Sequence, residues 1–101
     1  MYIVQILLPL TDNTGQPHPR QIFDDIKHEL TRRFKGLTAY SRAPAEGLWK
    51  PRKNTKHDDI VVFEVMVTSF RLKWWRKYRA FLEKLLRQES LVIRAQKSVV
   101  V

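Results

Sequence analysis

Between Asp58 and Thr68 the chain reads DDIVVFEVMVT, a run that is apolar at almost every position and carries one acid, Glu64, at its centre. A strand that is apolar on both of its alternating faces belongs in the interior of a sheet, covered on each side. A carboxylate in such a strand has to be paired, neutralised or used, because an isolated charge is costly to desolvate. Glu64 is therefore the first candidate for a site.

The 101 residues suffice for one domain with a core of its own, without covalent or metal staples. With no cysteine, thiol catalysis and thiolate metal sites are excluded. The opening MYIVQILLPL has no basic leader and is half the length of a membrane span, so the expectation is a soluble, cytoplasmic protein.

Residues 2 to 10 alternate Val4, Ile6 and Leu8 with Ile3, Gln5 and Leu7, which predicts a first strand. TDNTGQPHP, 11 to 19, is turn chemistry. From Arg20 to Lys35, Ile22, Phe23, Ile26, Leu30 and Phe34 recur at helical spacing, with Pro19 before them and Gly36 after. LTAYSRA, 37 to 43, predicts a second strand ended by Pro44. A charged loop with an apolar pair, Leu48 and Trp49, leads to the Asp58 strand. A second helix from Phe70 to about Gln88 gathers Trp74, Trp75, Tyr78, Phe81, Leu82, Leu85 and Leu86 into one stripe, and 91 to 96 closes as a fourth strand. This order, βαββαβ, predicts an α+β, ferredoxin-like sandwich: a four-stranded antiparallel sheet, its two most apolar strands central, with both helices on one face.

Whichever sheet face the helices cover must be apolar in every strand. Val61, Phe63, Val65 and Val67 form that set in the third strand, Val4, Ile6 and Leu8 in the first, Leu91, Ile93 and Ala95 in the fourth, and Ala39, Ser41 and Ala43 in the second. Gln5, Tyr40, Arg42, Glu64 and Arg94 then share the opposite face with Ile3, Leu7, Ile60, Val62, Met66 and Val92. Such a face is too apolar to stand in water, and a second copy is the economical cover, so a homodimer is expected.

Two readings of the polar cluster follow. Glu64 with Arg42 and Arg94 can be a structural ion-pair network that fixes dimer register. Alternatively the cluster lines a pocket for a small anionic or carbonyl ligand, with an arginine as anion clamp, Tyr40 as hydroxyl donor, Glu64 as base and Trp49 in a loop folding over it. An acid/base enzyme using Glu64 or His57 is a third possibility. The three histidines, His18, His28 and His57, show no metal-ligand spacing, and Gly15, Gly36 and Gly47 are too dispersed for a phosphate loop, so neither metal nor cofactor is expected.

The formal net charge is +9. Residues 71 to 87 carry +6 of it and residues 50 to 56 carry +4, which leaves the remainder at −1. Basicity confined to one helix and one loop suggests an alternative role as a non-catalytic module for nucleic acid or another anionic partner, through Arg52, Lys53, Lys73 and Lys77. Against it, an RNA-recognising module of this layout stacks bases on central-strand aromatics, where this chain has Gln5 and Glu64.

The stretches LLPL, LTAYSRAPAEGLW and DDIVVFEVM, in that order along nearly the whole chain, resemble a family of small, uncharacterised bacterial proteins of about this length. The resemblance implies a ferredoxin-like fold and carries no catalytic residues with it. In layout the chain is also similar to dimeric α+β barrel proteins, whose ligand sites lie between facing sheets.

Overall fold

The computed structural model describes residues 1–34, 36–42 and 60–101, with the backbone alone for Tyr40, Ser41 and Arg42. Its elements are β1 (Tyr2–Pro9), α1 (Arg20–Phe34), β2 (Thr38–Arg42), β3 (Ile60–Val67), α2 (Leu72–Leu85) and β4 (Val92–Lys97). The strands form one antiparallel sheet in the order β2-β3-β1-β4, so the two most apolar strands are the central pair. Lys35 and residues 43–59 lie outside the described residues, and with them Trp49, Arg52, Lys53 and His57.

Alternation decides which side is covered. Val4, Ile6 and Leu8 of β1 and Val61, Phe63 and Val65 of β3 are buried, and they share one core with Ile26 and Leu30 of α1, Trp75, Tyr78 and Leu82 of α2, and Leu86 and Leu91. The odd residues of β1 and the even ones of β3 face the other way. Each fully buried aliphatic or aromatic side chain stabilises the fold by roughly 1.5–3 kcal/mol, so this one-sided set is what holds the helices to the sheet.

The apolar stripe of α2 is narrower than its sequence suggests. Trp75, Tyr78, Leu82 and Leu86 fall on one line and are buried. Phe81 precedes Leu82 by one residue, a rotation of about 100° that carries it out of that line, and it is left 56 % exposed, while Leu85, about 20° from Tyr78, sits at the margin. Ala39, assigned to the covered face, does sit opposite Phe63, yet is exposed because β2 is the sheet edge. The residues after β4 make no strand, and Val99 to Val101 are exposed.

Helix α2 ends in a paired backbone cap: the Gln88 amide donates to the Glu83 carbonyl at 2.9 Å and the Arg87 amide to the Lys84 carbonyl at 3.3 Å. Arg87 adopts φ 52° there, a position that ordinarily favours glycine. Its guanidinium lies 3.6 Å from the Asp12 carboxylate, its carbonyl accepts from the Asn13 amide, and the Gln88 side-chain amide donates to the Thr11 carbonyl. The turn after β1 is thereby tied to the end of α2.

Asp12 is the centre of that tie. Its Oδ1 accepts from the Thr14 amide at 2.8 Å, the Thr14 hydroxyl at 2.7 Å and the Gln16 amide at 3.0 Å, while Gly15 turns the chain at φ 89°. The Thr14 hydroxyl foremost, then the Gln16 and Thr14 amides and the Arg87 charge, hold the Asp12 carboxyl below its ordinary 3.8 against the opposing effect of burial. A depressed folded-state value means the unfolded chain takes up a proton first on acidification. The contribution of Asp12 is therefore complete above about pH 5 and is lost as pH falls through 3.8 toward the lower folded value. An Asp12→Asn chain keeps an acceptor for the same turn but cannot titrate, so its acid-unfolding limb, followed by circular dichroism, should be shallower than wild type; superimposable limbs would contradict this role.

Candidate functional site on the open sheet face

The strand register sorts the open face into rows. Gln5 of β1 lies opposite both Glu64 of β3 and Arg94 of β4, and Glu64 lies opposite Thr38 of β2, so Thr38, Glu64, Gln5 and Arg94 form one row across all four strands. On one side runs Tyr40, Val62, Leu7 and Val92, and on the other Met66, Ile3 and Gln96. A single polar line is thus framed by apolar neighbours.

Two hydrogen bonds join three members of that row. The Arg94 Nε donates to the Gln5 Oε1 at 2.8 Å, and the Gln5 Nε2 donates to the Glu64 Oε2 at 3.0 Å. The Gln5 amide is fixed in orientation by having a donor on one side and an acceptor on the other. The expected contact between Arg94 and Glu64 therefore runs through an intervening amide. Arg94 is exposed, and its two terminal guanidinium nitrogens have no hydrogen-bond or ion-pair partner among the described residues.

Tyr40 and Arg42 stand on this face by register, opposite Val62 and Ile60, about 7 and 13 Å along the sheet from the Glu64 row. Their side chains lie outside the described residues, as do the candidates Trp49 and His57. Thr38 is the β2 residue directly opposite Glu64. Nothing in the sequence points to Thr38, because which residues of an edge strand meet a central acid depends on register, and register is set by the pairing itself.

The other candidates lie elsewhere. Lys73 and Lys77 are exposed on α2, on the helix side of the molecule, while Arg52 and Lys53 lie outside the described residues. His28 is exposed on α1, and His18 packs edge-on against Phe23 with ring centroids 6.0 Å apart. Among the described residues no three His, Asp or Glu side chains converge as a metal site, and no helix is long and apolar enough to cross a membrane. Comparison with known proteins adds nothing to this geometry: no family model, curated protein or solved structure matches the chain. What the site can do must be argued from its own groups.

The exposed apolar residues beside the row give it a second property. Met66 is 48 % exposed and Val92 51 % exposed, with Ile3, Leu7 and Val62 half-buried between them. An oriented guanidinium next to a polar relay, set in an apolar surround, is suited to an anionic group carried on an apolar body.

Proposed function

We infer that this chain is a ferredoxin-like homodimer that binds a small anionic ligand between facing sheets, akin in layout to the dimeric α+β barrel proteins. The observation that carries the reading is the relay from Arg94 through Gln5 to Glu64. Holding Arg94 by its Nε leaves the terminal pair of nitrogens presented side by side, the geometry that takes a carboxylate or phosphate in two parallel hydrogen bonds. Covering the apolar rows with a second copy would exclude water and strengthen those bonds.

Charge placement favours this mode of pairing. The basic residues of α2 are on the helix side, so joining two chains by their sheets keeps the two α2 patches at the far sides of the dimer. Glu64 is the group in the row able to accept a proton from a ligand, and Tyr40 stands one row away; whether a reaction follows binding depends on the ligand. The resemblance to a bacterial family with this fold, and a cytoplasmic location, belong to the same reading.

The test is native mass spectrometry of the purified protein, followed by calorimetry with whatever anion is retained, on wild type, Arg94→Ala and Glu64→Gln. Loss of a charge-assisted pair costs about 1.5–3 kcal/mol, so Arg94→Ala should bind the anion roughly ten- to a hundredfold more weakly while remaining dimeric. Glu64→Gln should retain the dimer and change binding. A Glu64→Gln protein that dissociates while wild type retains no ligand would instead make the row a structural network.

A further inference from the structure

We propose that the outer face of α2 is a binding surface for single-stranded nucleic acid, independent of the sheet face. Arg79 and Arg87 are engaged by Glu83 and Asp12, at 3.7 and 3.6 Å. Arg71, Lys73, Arg76, Lys77 and Lys84 have no carboxylate partner among the described residues and are all exposed. At 100° per residue, Lys73, Lys77 and Lys84 fall within about 40° of one another on the side directly away from the buried line of Trp75, Tyr78, Leu82 and Leu86. Along the axis they are about 6 and 10 Å apart. Four of these cations, Lys73, Arg76, Lys77 and Lys84, spread over about 100° of the outward side of a 14-residue helix and form a track for a polyanion, with no carboxylate among the described residues to neutralise them.

An aromatic ladder runs beside that track and distinguishes among polyanions. Arg33 of α1 lies 4.4 Å over the Trp74 ring, Trp74 stacks on Tyr78 with centroids 5.0 Å apart, and Tyr78 on Phe81 at 6.0 Å. Trp74 and Tyr78 are thus occupied by ring or cation neighbours. Phe81 ends the ladder, more than half exposed, one helical turn from both Lys77 and Lys84.

A membrane surface would call for the apolar residues to be outermost, whereas here the lysines are outermost and Leu72 and Phe81 fall on opposite flanks. Duplex phosphates could use the lysines but would leave the ring idle. A single strand uses both, its phosphates on the lysines and a base on Phe81, and such stacking tolerates any sequence. Base-stacking modules of this layout usually place their aromatics on the sheet; among the described residues of this chain the most exposed ring is on the helix.

Fluorescence anisotropy of the full chain with a labelled oligothymidylate of about twenty nucleotides, over a range of salt, is the test. Four phosphate contacts predict a log K against log salt slope of about −3, and Lys77→Ala should reduce its magnitude by about 0.7. Phe81→Ala, which leaves the core intact, should weaken binding about tenfold with the slope unchanged. Absence of binding at low salt would overturn the proposal. So would equal affinity for duplex with no effect of Phe81→Ala, which makes the face a phosphate contact only, or preference for polyglutamate, which makes it a site for an acidic protein.

Discussion

Phe63→Ala should unfold at a markedly lower temperature than wild type, whereas Phe81→Ala should melt within a few degrees of it. The two phenylalanines differ in where alternation and helical rotation place them. Phe63 is 1 % exposed in the central strand β3, opposite Ile6 on one side and Ala39 on the other. Truncating it removes transfer energy and leaves a cavity that the closely packed β1, α1 and α2 side chains cannot fill, at a cost of about 3–5 kcal/mol. Against a total of roughly 5–15 kcal/mol this is a large fraction of stability, and for a chain of this size it lowers Tm by at least about 12 °C. Phe81 has lost most of that environment already, and its removal should cost under about 1 kcal/mol. Differential scanning calorimetry of both variants checks the pair; equal losses would mean that the buried line of α2 has been assigned to the wrong residues.

Residue order alone does not separate the two phenylalanines in this way. Strand alternation is a period of two with no intermediate state, so the facing of Val4, Ile6, Phe63 and Glu64 was legible from residue order alone, as was the centrality of β1 and β3. Helical stripes are continuous in angle: Phe81 and Leu85 lie at the margin of the α2 stripe, and only packing decides on which side of the margin each falls. Register was not legible either. Parity puts Gln5, Glu64 and Arg94 on one face, but their sharing one row, the amide standing between the arginine and the acid, and the entry of Thr38 all depend on strand pairing. By composition Asp12 is one polar residue among several in a turn. The Asp-x-Thr spacing carried the signal, since an aspartate two residues ahead of a threonine can accept from both its amide and its hydroxyl.

The second large effect concerns the proposed partner. A Met66→Lys, Val92→Lys chain should sediment as a monomer at concentrations where wild type is a dimer. Both side chains are half exposed and lie on the rows that flank the polar line, in β3 and β4. In a two-fold pairing each substitution occurs twice, so four ammonium groups would be desolvated against an apolar surface, close to one another and to Arg94. Each such juxtaposition costs several kcal/mol, and dissociation should be favoured by a hundredfold or more. Because neither side chain belongs to the core, the monomer should keep the wild-type circular dichroism spectrum. Unchanged sedimentation of the double variant beside a dimeric wild type would move the interface to another surface.

The absence of native cysteine allows this face to be probed without background. A single spin label at Met66→Cys, compared by double electron–electron resonance with one at Lys77→Cys, measures directly whether two copies meet sheet to sheet. The account predicts a short, narrow distance between labels at 66 and a much longer one between labels at 77. Labels at 66 that show no intermolecular coupling, or labels at 77 that are the closer pair, would contradict it.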